Sequence, residues 1–348
     1  MSGGIVKGRA LVLRLGRERV SLRFEKRGLI VGGVLAALGL LLAAFALTFG
    51  TYPIVVSGIV RALLGGGDEM ARTIVVEWRL PRVALALLLG AALGMSGAIF
   101  QSLTRNPLGS PDVIGFSAGS YSGALVVILL FGGGYAETAL GALLGGLLTA
   151  TAVYLLAWRG GMQGFRLIIV GIGVAAMLSA LNAWMIREAE LQVAMSAAVW
   201  GAGSLNGLGP EQLWPVAVTL GLLLPPILLL APAMRQLELG DDVARATGVQ
   251  ADRTRLGLTF LGVALTALAT AAAGPIAFIA LCAPQIARRL SGAGHVALVP
   301  SALVGGFLLL SADLAAQHAL PVQLPAGVMT VSLGGLYFLW LLLREGRR

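Results

Sequence analysis

The feature that most limits what this chain can fold into is its run of long stretches without a charged side chain. A helix needs about 20 apolar residues to cross a hydrocarbon core of ~30 Å. Stretches of that kind lie at 29–50, 83–104, 113–136, 138–158, 167–186 and 212–234. The run between Arg255 and Arg288 is longer, and as one helix it would extend about 48 Å at 1.5 Å per residue. Gly274-Pro275 interrupts it, so two spans are predicted there, 256–273 and a shorter 276–290. Spans at 296–318 and, after Pro321 and Pro325, at 325–343 bring the number to ten.

Composition supports the same class. Apolar side chains make up 57% of the 348 residues and 49 more are Gly, whereas charged residues are 12%, about half the share in soluble domains. A soluble globule cannot hide that much apolar surface. A cytosolic enzyme, a nucleic-acid-binding domain and a disordered chain are therefore set aside. The fold expected is an all-α polytopic membrane protein.

The net charge of +9 is informative through its distribution. With ten spans, twenty of the 25 basic residues fall on the side of the termini. The other side receives Arg61, Arg72, Arg79, Arg82 and Arg187. An odd span count destroys this asymmetry, and the positive-inside bias places both termini in the cytoplasm. The domain reading is a basic cytoplasmic arm at 1–28, a transmembrane domain at 29–343 with a cytoplasmic loop at 235–255, and a tail at 344–348. The arm does not read as a cleavable signal peptide. Pairs such as Gly90/Gly94 and Gly141/Gly145 mark helix crossings of close approach. Cys282, the single cysteine, reads as a small packing residue.

Chemistry is scarce inside the spans. No phosphate-binding loop is present, and the only lysines are Lys7 and Lys26, so ATP is not cradled by that route. The two histidines, His295 and His318, stand apart from any carboxylate cluster, so no metal site is expected. Asp313 is the one carboxylate deep in a span; with no second acid it is a poor proton relay, and capping a helix or bonding a neighbouring backbone is expected of it. No nucleophile has a base at a useful spacing, which leaves no catalytic residue to name. The pattern is that of a passage powered from outside the chain. A secondary transporter is the reading from another class, but it needs coupling-ion carboxylates at mid-membrane beside broken helices, and here only the break is present.

Three segments carry polar or turn residues where hydropathy alone does not place them. Arg79-Leu80-Pro81-Arg82 opens the second span, with Pro81 suited to a first helical turn and two guanidinium groups on one face. They fit either interfacial anchoring or bidentate capture of a partner's carboxylates. Thr104 to Gly115 reads as a tight cytoplasmic turn, started by Asn106-Pro107 and Ser110-Pro111. Leu237 to Val249 holds a short helix that begins at Asp241-Asp242 and ends at Gly248. It is longer than an ordinary helix connection and suits a grip on a soluble motor.

These motifs resemble the FecCD-type permeases, the membrane subunits of ABC importers for iron-siderophores, haem and vitamin B12. The matching segments are RLPRVALALLLGAALGMSGAIFQSLTRNPLGSPDVIGFSAG (79–119), LGDDVARATGV (239–249), GPIAFIALCAPQIARRL (274–290), SADLAAQ (311–317) and LPAGVMT (324–330). The NPLGSPDVIGF form is most similar to the second permease of catecholate-siderophore importers. The resemblance implies a vitamin-B12-importer-like type II fold in the cell membrane. It implies a second permease subunit, identical or not, two cytoplasmic ATPase subunits that use ATP and Mg, and an extracytoplasmic substrate-binding protein. The substrate it implies is a ferric siderophore, with haem or cobalamin as alternatives. No cofactor on this chain and no nucleic-acid partner are implied.

The same resemblance assigns roles. Arg79 and Arg82 receive the binding protein's acidic side chains. Glu238, Gly240, Asp241, Asp242, Ala244, Arg245 and Gly248 belong to the helix that couples to the ATPase. Asn106, Leu108, Gln163, Gly164 and Phe165 match positions near a cytoplasmic gate, and Ser179 and Asn182 face the path. A short outer half-helix is expected around 192–203. The chain departs from the family at Gln285, where His is frequent, and at Gln317, where some members carry Arg. Small polar pairs at some inner gates are here Gly164-Phe165, which points to a gate closed by bulk.

Overall fold

The computed structural model describes residues 10–15, 20–50, 52–158, 164–292 and 294–345. The fold is a helical bundle with one small addition. Strands β1 (Ala10–Leu15) and β2 (Val20–Glu25) form an antiparallel hairpin in register Ala10 to Glu25 through Leu15 to Val20. The basic arm thus contains local strand structure that charge counting had no means of detecting.

Helix α1 (Lys26–Thr48) follows, then two short helices, α2 (Val56–Leu63) and α3 (Glu69–Arg72). A π-helical segment, Thr73–Arg79, joins α3 to α4 (Leu80–Thr104). The result is one helical run of 36 residues, Glu69–Thr104. The polar stretch at 51–80 is thus more helical than its composition suggests. Pro81 accounts for the π-helical turns: it has no N–H for the carbonyl four residues earlier, so the hydrogen bonding before it rearranges.

The remaining elements are α5 (Phe116–Phe131), α6 (Tyr135–Ala157), α7 (Gly164–Glu188), α8 (Leu191–Gly201), α9 (Pro210–Glu238), α10 (Asp241–Ala246), α11 (Ala251–Ala273), α12 (Ile279–Ser291), α13 (Leu298–His318) and α14 (Ala326–Glu345). Among the described residues seven helical runs are long and apolar enough to cross a membrane. The other three predicted spans correspond to α5, α12 and α14. Gly274-Pro275 separates α11 from α12 as expected, and α8 is the short helix after the fifth span.

Contacts at the helix ends show how the chain alternates. At one end Arg27 at the start of α1 donates to the Leu290 carbonyl of α12, and Glu238 of α9 accepts from the amide of Val296, before α13. At the other, Tyr135 at the start of α6 donates to the Ala272 carbonyl at the end of α11. We call these the basic end and the opposite end.

The core is built around α4, which packs on α11, α12 and α13. Glycine makes this possible. A Cβ at Gly90 would strike the backbone of Gly305, one at Gly94 that of Ser301, and one at Gly97 that of Ala280. The second stripe does the same for α5 against α6, where Gly123 meets the backbones of Gly141 and Gly145. Without hydrophobic drive between helices in lipid, such close backbone contact supplies much of the packing energy. In the Glu69–Thr104 run 78% of the most apolar window is buried, against 11% in α7. Thus α4 is the mast of the bundle, and α7 presents most of its surface outward.

Candidate functional site

The residues singled out by sequence occupy three levels along the bundle. At the opposite end, Arg79 and Arg82 are both engaged within the chain. Arg79 donates from Nη1 to the Leu47 carbonyl (2.7 Å) and from Nη2 to that of Tyr52 (2.6 Å), closing the exit of α1. Arg82 forms a bidentate pair with Asp313 of α13, Nε to Oδ2 and Nη2 to Oδ1, both 2.8 Å. This corrects the expectation for Asp313: it is a buried partner of an arginine, not a cap for its own helix. Gln317, one turn later, adds a third bond to Asp313 Oδ2 at 2.8 Å. The side chain of Asp313 is 2% exposed and that of Arg82 19%. Each guanidinium has five N–H donors, so both arginines keep donors beyond those committed here. His318 packs edge-on against Phe49, with ring centroids 4.9 Å apart.

The second level holds the segment from Arg105 to Gly115, which turns at the basic end and then enters the bundle. A Cβ at Gly171 would meet Cα of Ile114 at 2.7 Å, and one at Gly115 would meet the Ala175 backbone. Gly171 and Ala175 lie about 10 and 16 Å along α7 at 1.5 Å per residue. The end of the segment therefore lies within the bundle, where the expected span at 113–136 begins, and it supplies the part of that span that α5 lacks. Embedded backbone must satisfy its own polar groups, and three amides here do so locally. The amide of Ile114 bonds Ser110 O, that of Phe116 bonds Pro111 O, and that of Gly115 bonds Asp112 O. Asn106 Oδ1 accepts from the Leu108 amide at 2.9 Å, fixing the first turn.

Asp112 is a functional candidate that sequence reasoning missed, because Ser110-Pro111-Asp112 reads as turn chemistry alone. Its Oδ1 accepts from Ser117 Oγ at 2.6 Å, and the buried carboxylate also faces the Phe278 backbone amide at the α11–α12 break. Ser117, with Tyr121, Ser179, Asn182, Ile186 and Pro275, borders a cavity of about 320 Å³ between α5, α7 and the α11–α12 break. Ser179 and Asn182 are thus brought together as predicted for one face of α7. They differ in availability: Ser179 is exposed, whereas Asn182 is buried, accepting from Ser122 Oγ and donating to the Ala118 carbonyl.

The residues assigned to a gate lie at the basic end, where that segment begins. Gly164 abuts the backbone of Thr104, Leu108 is partly exposed, and Phe165 is 75% exposed. Gln163 lies outside the described residues. Gln285 stands where the family often has His, and it bonds Gln101 Oε1 at 2.6 Å and, more weakly, the Pro107 carbonyl. Gln101 in turn donates to the Leu281 carbonyl. An amide pair therefore ties α12 to α4 and to the embedded turn. The spacing of Gln101 and Gln285, 184 residues apart, gave no signal of this.

The third level is the segment around α10, which hangs between two glycines in positive φ, Gly240 (123°) and Gly248 (85°). Ala244 is buried and anchors its inner face. Asp242, Arg245 and Val243 face outward, and Leu239 before them is 69% exposed. Arg245 lies 3.8 Å from Asp252, both exposed, beside an open groove of about 550 Å³ that runs to Arg253. Glu238 turns inward to the Val296 amide. Asp241 also turns inward: its Oδ1 accepts from Arg105 Nη2 and Arg255 Nη2, each at 2.5 Å. Partial burial pushes the Asp241 carboxyl up, but the two guanidinium groups outweigh this and hold it below the usual carboxylate range.

Arg105 pays a backbone cost to be there. It ends α4 with φ 49°, a position that favours Gly or Asn and costs another residue about 1–2 kcal/mol. Its side chain explains the exception, because Nε also donates to the Leu237 carbonyl at 3.0 Å.

Comparison with known proteins places this geometry. The FecCD transport family matches residues 36–344. The ferric enterobactin transport system permease protein FepG of Escherichia coli (strain K12) is 51% identical over 93% of this chain and 98% of its own. The achromobactin transport system permease protein CbrC of Dickeya dadantii (strain 3937) is 37% identical over 90% and 92%. Among solved structures, a metal-chelate type ABC transporter in an inward-facing conformation superposes with a TM-score of 0.79 at 27% identity. That likeness covers 90% of this chain and 99% of the other.

Proposed function

We propose that this chain, which belongs to the FecCD transport family, is a permease subunit of an ATP-binding-cassette importer for a ferric siderophore. The observation that carries the reading is the near-full-length likeness to a ferric enterobactin permease. The chemistry fits it. A bulky chelate needs a wide path with few strong contacts, and the cavity beside α7 is bordered by hydroxyls and an amide without a charged side chain. Energy must come from another subunit, since this chain has no phosphate-binding loop. The exposed Leu239, Val243 and Arg245 around α10 form a surface suited to a cytoplasmic ATPase.

In the mechanism we infer, both termini are cytoplasmic. A loaded extracytoplasmic binding protein places carboxylates on the free donors of Arg79 and Arg82. ATP binding by two ATPase subunits draws the α10 segments of two permease subunits together. The α7 helices then rearrange, and the chelate passes. Here Arg79 and Arg82 are held in place before docking by Tyr52, Leu47 and Asp313, so little side-chain freedom is lost on contact.

The test is uptake of radiolabelled ferric catecholate into proteoliposomes holding this chain, its ATPase and its binding protein. Uptake is expected to require ATP and to vanish when residues 240–248 are deleted. Transport that survives this deletion would sink the ATPase-driven reading and favour a secondary transporter. For docking, Arg79→Glu is expected to weaken binding-protein affinity by about tenfold or more, as for a truncated charge-assisted contact. Unchanged affinity refutes the docking role.

A further inference from the structure

The geometry points to Asp241 as a positioning residue that carries motion of α10 into the membrane through Arg105 and Arg255, an inference that rests on the importer reading above. The residue was assigned to the ATPase-facing segment, yet its carboxylate faces the bundle, not the outside. Three elements meet on its Oδ1: α10 itself, the end of α4 through Arg105, and the first turns of α11 through Arg255. Arg105 is bound at a second point to the last turn of α9 through the Leu237 carbonyl. The shared acid is therefore a junction between α10 and two of the most buried helices among those described.

Three features make the junction a relay. First, α10 is set off as a separate unit, because Gly240 and Gly248 on either side adopt positive φ, and a Cβ at either would meet nothing within 4 Å. Second, Arg105 is the residue that opens the embedded turn, and the next residues are Asn106 and Leu108 at the basic end. Third, that turn leads without a break to Asp112 and to Ser117, which borders the cavity beside α7. A displacement of Asp241 therefore draws on Arg105 and so on the turn beneath the cavity. The left-handed backbone of Arg105 fits this role. A glycine would end α4 at lower cost but would leave α10 unconnected to the turn.

Two measurements test the relay, and the first does not depend on transport. Spin labels at Val243 and Leu108 in the purified full chain report the distance between α10 and the embedded turn. A narrow distribution is expected for the otherwise native chain, and a clearly broader one for Asp241→Asn and for Arg105→Gln. Combining the two substitutions is expected to broaden it no further. Unchanged distributions in both single variants overturn the relay, whatever the chain transports.

The second measurement uses the intact importer and reads chelate moved per ATP hydrolysed, with copurification of the ATPase as the assembly control. Asp241→Asn is expected to keep assembly and hydrolysis while lowering this ratio by about fivefold or more, the range of coupling between linked sites. Arg105→Lys, which keeps the charge, is expected to recover part of the ratio that Arg105→Gln loses. Loss of assembly in Asp241→Asn would make the residue a docking contact and overturn the relay, as would an unchanged ratio. If the unsubstituted importer neither assembles nor transports, the importer reading fails, and the spin-label result still decides whether the linkage exists.

Discussion

Removing the carboxylate of Asp313 is the most direct probe of how this bundle is held at its opposite end. In Asp313→Ala, Arg82 keeps its place in α4 but loses both 2.8 Å bonds and its counter-charge. Two unit charges about 4 Å apart attract by ~4 kcal/mol at an effective dielectric of 20, before the cost of drying them. Breaking a buried pair from one side costs about 3–5 kcal/mol, because the other charge is left stranded. Arg82 retains 19% exposure and so can reach some water, which places the expected loss near the low end, about 3 kcal/mol. The double variant Arg82→Met/Asp313→Leu strands nothing and replaces the pair by apolar volume. It is expected to lie within about 1 kcal/mol of the starting protein. The assay is equilibrium unfolding in mixed micelles of the single and double variants. A loss under about 1 kcal/mol in Asp313→Ala, or a double variant that loses as much as the two singles together, refutes the clamp. Binding-protein affinity read on the same double variant separates clamp from docking: restored stability with weakened binding assigns Arg82 both.

The other expectations are simpler. Gly97→Val should abolish the folded monodisperse species in size-exclusion chromatography, because its Cβ runs into the Ala280 backbone, whereas Gly39→Ala, with nothing within 4 Å, should leave it intact. Ser96→Ala should destabilise the bundle by about 1 kcal/mol in the same micelle assay, since Ser96 Oγ bonds both the Gly262 carbonyl and Thr266 Oγ1. Asp241 gives a pH dependence of known sign. Its carboxyl titrates lower in the folded chain than in the unfolded one. The stabilisation is thus complete above the ordinary carboxylate value of about 4 and is lost as pH falls through the lower folded value. A spin label at Val243 should stay ordered from neutral pH to about 5 and loosen only in stronger acid. Asp241→Asn should abolish that acid step.

What was legible in the sequence follows from the range of each physical effect. Hydropathy acts over about 20 neighbouring residues, so it located the spans, the Gly274-Pro275 break and the glycine pairs that mark close crossings. Turn chemistry acts over three or four residues, so it found α10 and the bend at Asn106-Pro107. Neither could see what the end of the bend packs on, because that is set by Gly171 and Ala175 of another helix. Pairs are hidden for the same reason. Arg82 and Asp313 stand 231 residues apart, and Arg105 and Asp241 stand 136 apart. Arg82 reads locally as half of an arginine pair, Asp313 as a lone acid deep in a span and Asp241 as the start of a short helix, and none of these readings contains its distant partner.

Once paired, these charges explain how a chain poor in charge can be both held and movable. Arg82–Asp313 fixes α4 to α13 at one end of the bundle, and Arg105–Asp241 ties α4 to α10 at the other. Between them Gly90, Gly94 and Gly97 lock its backbone against α13 and α12. The mast is thus bound at both ends and along its length. α7 has no such tie of charges among its described contacts, and Asn182 holds it to α5 by neutral bonds to Ser122 Oγ and the Ala118 carbonyl. The Arg82–Asp313 pair, with its acid 2% exposed, is costly to part, whereas neutral bonds such as those of Asn182 contribute only about 1 kcal/mol each. A rearrangement driven from α10 will therefore turn α4 and its neighbours as one body and find its slip plane along α7, beside the cavity that a chelate must pass.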